Sequence, residues 1–194
     1  MLINLNKHKP QNNDITTQSA AQVITSSDEH LSRLLSHWQV PTIEDTPQHT
    51  LHFWSSSRFA LHDVMCRMLR IIGPAHVIMS TYSFSQAAAN IISRFADEHY
   101  LLSMKLLINA NRAASLQARK SISQLPQGID IRYAAIHAKA IVLWNDKYTI
   151  SIVYTANASN SDTIERGFIA TDFNTFNFDR NELNRIHTQS ARVR

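Results

Sequence analysis

At 194 residues, 44% hydrophobic and 18% charged, the chain has the size and balance of one globular domain with a sizeable core. Its formal charge of +4 and pI of about 9.4 favour anionic partners without naming one. Three glycines exclude a collagen-like repeat, no GxGxxG or P-loop spacing occurs, and a single cysteine, Cys66, excludes an internal disulfide or a cysteine-built zinc site.

Residues 1–27 are rich in Asn, Gln, Ser and Thr, with Lys7 and Lys9 but no apolar stretch of the kind a secretory leader carries. They are expected to form a disordered polar tail ahead of a single domain over residues 28–194. Ser27–Gln39 has a helix signature: Ser27 as N-cap, Asp28 and Glu29 in the first turn, and a stripe of Leu31, Leu34, Leu35 and Trp38 ended by Pro41. From Leu51 strand and helix patterns alternate. Leu51–Ser55 reads as a strand and Arg58–Ile72 as a helix stopped by Gly73-Pro74. Ala75–Thr81 follows as a buried strand, then a helix from Gln86 to about His99 capped by Ser85. Leu102–Asn109 is a strand, and Arg112–Ser123 a helix with Arg112, Arg119 and Lys120 on its outer face. Ile129–Tyr133 and Ala135–Trp144 are predicted strands. Asn145-Asp146-Lys147 then turns the chain into Tyr148–Tyr154, which makes those last two strands an antiparallel hairpin. A short strand at Phe168–Ala170 and a helix within Asp172–Arg192 close the chain, the helix buried through Phe176, Leu183 and Ile186. Trp54 and Trp144, inside apolar strands, are expected in the core. The alternation predicts an α/β fold: a mixed central sheet flanked by helices on both faces.

The chemistry concentrates in residues 135–168. His137 and Lys139 stand two apart beside an apolar run, so on an extended chain the imidazole and the ammonium share one face. A cationic pair at the mouth of a buried strand calls for an anion, because charge is costly to bury alone. A Thr155-Ala156-Asn157 turn and the carboxylate of Glu165 follow. Each piece alone has an ordinary structural explanation; the order and spacing together carry the signal. The ten histidines are scattered, without HExxH or comparable spacing, so no metal centre and no cofactor are expected.

This block resembles the signature of the phospholipase D superfamily: His-x-Lys (His137-Ala138-Lys139), a Gly-Ser-x-Asn-like turn (Tyr154-Thr155-Ala156-Asn157) and a downstream acid (Glu165). It is closest to the short members with one motif, mostly nucleases or nuclease-like proteins. Two positions depart from the pattern. Trp144 stands where an aspartate is usual, with Asp146 two residues on, and Tyr154-Thr155 replaces Gly-Ser. The resemblance implies an α/β/α sandwich and a metal-independent phosphodiesterase. His137 would be the nucleophile that forms a phosphohistidine, Lys139 would clamp a phosphate oxygen, and Asn157 and Thr155 would donate to the oxygens that gain charge. Glu165 would accept from the other imidazole nitrogen. With one motif per chain, it also implies a homodimer in which two copies of His137 share one pocket. The basic balance and the want of any membrane-anchoring stretch put nucleic acid ahead of lipid as substrate, DNA ahead of RNA, and a cytoplasmic protein with no membrane insertion ahead of an anchored one. A phospholipid-hydrolysing enzyme and a non-catalytic nucleic-acid-binding member remain the alternatives.

Overall fold

The computed structural model describes residues 23–24 (backbone only), 40–44, 50–55, 59–159 and 163–192. The expected helix at Ser27–Gln39 and most of the 1–27 segment lie outside the described residues. The strands are β1 (Val23–Ile24), β2 (Thr50–Ser55), β3 (Ala75–Thr81), β4 (Leu101–Asn109), β5 (Ile129–Ala134), β6 (Ala140–Trp144), β7 (Thr149–Tyr154), β8 (Glu165–Ala170) and β9 (Ala191–Arg192). The helices are α1 (Leu61–Ile72), α2 (Gln86–Asp97), α3 (Ala110–Ala113), α4 (Leu116–Ile122) and α5 (Phe173–Gln189). The strands form one mixed sheet in the order β1-β2-β8-β7-β6-β3-β4-β5-β9. β3, β4 and β5 run parallel, while β6 is antiparallel to β3 and β7, and β7 is antiparallel to β8; the β6–β7 pair is the antiparallel hairpin expected within 135–154.

Alternation along the central strands sends side chains into two layers. Val77, Met79, Leu106, Ile108, Ile141, Leu143, Ile150 and Ile152 pack with α1, α2 and α4 in the larger core. Ile78, Leu107 and Val142 point the other way, against Phe176 and Leu183 of α5. Helices therefore cover both faces, as the α/β pattern predicts. Each large apolar side chain buried in this way contributes roughly 1.5–3 kcal/mol.

Several boundaries differ from the sequence expectation, each for a local reason. α1 begins at Leu61, past Phe59 and Ala60, both expected within it: Ala60 is extended, and its backbone N–H donates to the Asp63 carboxylate (2.8 Å). The predicted 112–123 helix is two helices. Asn109 Oδ1 accepts from the backbone of Asn111 and Arg112 to start α3, and Ser115 Oγ accepts from Ala118 N to restart the chain as α4. The closing helix ends at Gln189, and Ala191–Arg192 turns back to pair with β5. Trp54 is not a core residue; it is 41% exposed, with the Arg166 guanidinium over its ring. Trp144 is partly buried at the end of β6 remote from His137, stacked on His76 and reached by Arg180. Most consequential, the strand expected from Ala135 starts only at Ala140, so His137 and Lys139 lie in the loop that leads into β6.

Candidate active site

One rim of the sheet gathers the ends of β3 and β4, the entry to β6, the end of β7 and the start of β8, because β6 runs antiparallel to β3 and β8 antiparallel to β7. In sheets of this kind ligands settle beyond the carboxyl ends of the parallel strands.

The 136–139 loop is pinned at nearly every residue although it is not a strand. Asn109 Nδ2 donates to Ile136 O (2.7 Å), and Ser80 Oγ donates to Ala138 O (3.2 Å). Tyr154 N donates to Lys139 O (3.0 Å), and Ala140 N donates to Ser80 Oγ (3.2 Å). A buried serine hydroxyl thus takes the place of the ladder here, which is why β6 begins late. The side chains still converge: Lys139 Nζ lies 3.3 Å from His137 Nδ1. An ammonium can only donate, so Nδ1 is the accepting nitrogen and a neutral ring carries its proton on Nε2. His137 is exposed and Lys139 half-buried. Burial holds the Lys139 ammonium below the usual lysine range, against the opposing pull of Glu165 and Tyr82.

The loop after β7 is laced to the loop after β3. Ser83 N donates to Asn157 Oδ1 (3.3 Å), Ala158 N donates to Thr81 Oγ1 (2.9 Å), and the Ser83 and Ser159 hydroxyls are bonded at 2.7 Å. Asn157 O also accepts from Leu61 N at the start of α1 (3.1 Å). With its oxygen engaged, the Asn157 amide presents its NH2 as the donor end. The Thr155 hydroxyl, expected to donate to phosphate, here donates to the Glu165 carboxylate and accepts from Arg166 N (2.8 Å). The second Glu165 oxygen accepts from Thr163 Oγ1 (2.7 Å). Glu165 is thereby held in place by two threonines, its charge acting on Lys139. Tyr154, at the position of the usual glycine, is buried and donates to Phe59 O (2.9 Å), so it belongs to the core.

Several rim residues were not singled out from sequence. Ser80, Thr81, Ser83 and Asn109 hold the two loops, and Tyr82 lies against His137 with ring centroids 4.6 Å apart. Their signal was positional: each sits at or just past the carboxyl end of a parallel strand. A cavity of about 230 Å3 opens beside His137, lined also by Tyr82, Asn109, Asn111 and Ala135. Cys66, His62 and His187 are buried, and burial pushes the Cys66 thiol up to about 12. Among the described residues no three His, Cys, Asp or Glu side chains cluster as a metal site, and no helix is long and apolar enough to cross a membrane.

The fold, a mixed sheet between helical layers, is shared with a solved phospholipase D family member. Among solved structures, the phospholipase D family member Nuc from Salmonella typhimurium superimposes with a TM-score of 0.59 at 13% identity, covering 76% of this chain and 99% of its own. NucT from Helicobacter pylori gives 0.55 at 12% identity over 74% of this chain and 99% of its own. TrmBL2, an archaeal chromatin protein described with a novel mode of DNA binding, gives 0.50 at 13% identity over 85% of this chain and 60% of its own. No family model and no curated protein matches the sequence.

Proposed function

We propose that the chain is a phospholipase D-like phosphodiesterase that hydrolyses nucleic-acid backbones without a divalent metal, through a phosphohistidine. The observation that carries this reading is the pair His137 and Lys139, fixed by four backbone contacts on an open rim that also carries the loop holding Asn157. An arriving phosphate draws the Lys139 ammonium off the imidazole and frees its lone pair. That nitrogen forms a bond to phosphorus as the bond to the leaving oxygen breaks, and Asn157 donates to the oxygen that gains charge. Glu165 favours the charged Lys139 and the imidazolium that forms. The leaving oxygen needs a proton, and water must later be activated; a second imidazole supplies both steps. His137 of the partner subunit would fill that role in a two-fold dimer. Its exposure supports this, as do Trp54 and Ile164 (72% exposed), apolar surface at the same rim that a second copy would cover. The names of Nuc and NucT agree with a nuclease reading, and the chain's +4 charge favours a polyanion.

The test is cleavage of labelled single- and double-stranded DNA in excess EDTA, with Lys139→Ala beside the parent. The parent cuts in chelator, and the variant loses about 100-fold or more in kcat/KM while its melting temperature stays put. A variant that cuts like the parent would remove Lys139 from the site. Should the parent bind DNA and cut neither form, the non-catalytic reading takes over; the commitment of the Thr155 hydroxyl to Glu165 favours it.

A pH prediction follows from the same pair. Lys139 works as an ammonium, so activity falls as pH rises through its pKa, which burial already sets below the lysine norm. Glu165→Gln removes the charge that opposes this, so the pKa drops further and the alkaline limb of kcat/KM moves to lower pH. A limb that stays where it was would dissociate Glu165 from Lys139.

A further inference from the structure

We infer that Arg112, Tyr82 and the adjoining cavity form a subsite for the neighbouring nucleotide of a polynucleotide, Arg112 binding the phosphate next to the one at His137. This rests on the phosphodiesterase reading and narrows its substrate to a chain of nucleotides.

The Tyr82 ring is the hub. The His137 ring lies 4.6 Å from it, Lys139 Nζ lies 5.7 Å from its centroid, and the Arg112 guanidinium carbon 5.0 Å. Two cations and the proposed nucleophile therefore surround one side chain. Among the described residues Arg112 makes no ion pair, and its side chain is exposed. A cation held on an aromatic face beside an anion site, with no carboxylate to neutralise it, suits a second phosphate.

The spacing is built in by one residue. Asn109, buried at the end of β4, donates from Nδ2 to Ile136 O and accepts at Oδ1 from the backbone of Arg112 (3.3 Å) and Asn111 (3.1 Å). A single amide thus ties the His137 loop to the turn that carries Arg112, so the two sites keep their separation before substrate arrives. The cavity of about 230 Å3 opens on the His137 side of this pair and on Asn111, next to Arg112 in the chain, lined by Tyr82, Asn109, Asn111, Ala135 and His137. It is smaller than the roughly 300–1,000 Å3 that takes a whole small-molecule ligand, and suits one nucleoside unit. A phospholipid offers one phosphodiester and then acyl chains; a polynucleotide offers the next phosphate one sugar away.

The experiment compares a single-stranded oligonucleotide with bis(p-nitrophenyl) phosphate, which has no neighbouring phosphate. Arg112→Gln is expected to lower the ratio of the two kcat/KM values about tenfold, mainly through the oligonucleotide KM. It should also reduce the slope of log KM against log salt by about one. Ala135→Phe, which fills the cavity without touching a charge, should lower the same ratio and leave the salt slope alone. Equal losses on both substrates, or no loss on either, would overturn the subsite. Oligonucleotide binding by fluorescence anisotropy is run in parallel. If the parent cuts neither substrate, the hydrolytic reading falls, and the subsite then stands only if Arg112→Gln weakens binding with the reduced salt slope; unchanged binding overturns it.

Discussion

His137→Ala is expected to abolish hydrolysis of DNA and of bis(p-nitrophenyl) phosphate in excess EDTA, a loss of about 1,000-fold or more in kcat. Removing a nucleophile takes away the covalent route itself, and losses of this order or larger are what such deletions produce. The fold should not notice. His137 is exposed and its side chain touches Lys139 and Tyr82 at the rim, so stability should change by no more than about 0.5 kcal/mol. Two readouts separate chemistry from damage: thermal melting of parent and variant, and mass spectrometry of quenched parent reactions for a phosphoryl adduct on the peptide holding His137. An unreactive variant with an unchanged melt and an adduct in the parent would establish the step. Parental rates in the variant would sink the mechanism.

Gly167→Ala is expected to be the most damaging one-carbon change in the described fold. Gly167 sits in β8 directly between Phe53 on β2 and Tyr154 on β7. A Cβ there would lie 2.5 Å from Phe53 Cζ and 2.8 Å from Tyr154 Cδ2. Neither ring can step aside easily. Both are almost fully buried, 5.1 Å apart between centroids, and Tyr154 is anchored through its hydroxyl to Phe59 O. Overpacking a filled core costs about 1–3 kcal/mol, and this site belongs at the upper end. At roughly 2–4 °C per kcal/mol for a chain of this size, the melting temperature should fall by about 5–10 °C. Phe53→Leu in the same chain should recover part of the loss, a non-additive pair diagnostic of direct contact. An unchanged melt would mean that the three strands are less tightly packed than described. The consequence reaches the rim, because Glu165 and Arg166 precede Gly167 on β8 and hold the Thr155 hydroxyl between them.

Local signals in the sequence determined most of the elements. Ala75–Thr81 is bounded by Gly73-Pro74 before it and by Ser85, a helix cap, after it, so its ends were legible. The Asn145 side chain, accepting from Lys147 N and Tyr148 N, makes the hairpin turn that its residue type announced. His137, Lys139, Asn157 and Glu165 could be picked out because their order and spacing are a pattern along the chain. What only tertiary structure decided rests on contacts between residues 10 to 74 apart, which no local periodicity encodes. Ser80 reaches across 58 residues to intercept the ladder before Ala140, so an apolar run that reads as one strand begins as a loop. Ser83 meets Asn157 from 74 residues away and turns its amide. The Thr155 hydroxyl goes to Glu165, ten residues on, because β7 and β8 pair in that register. Tyr82 follows β3 and Arg112 lies in α3 just after β4, and the parallel pairing of β3 with β4 sets Arg112 over the Tyr82 ring that lies against His137. Side-chain patterning decides which face of a segment is buried; the order in which strands assemble decides which polar side chains meet at their ends.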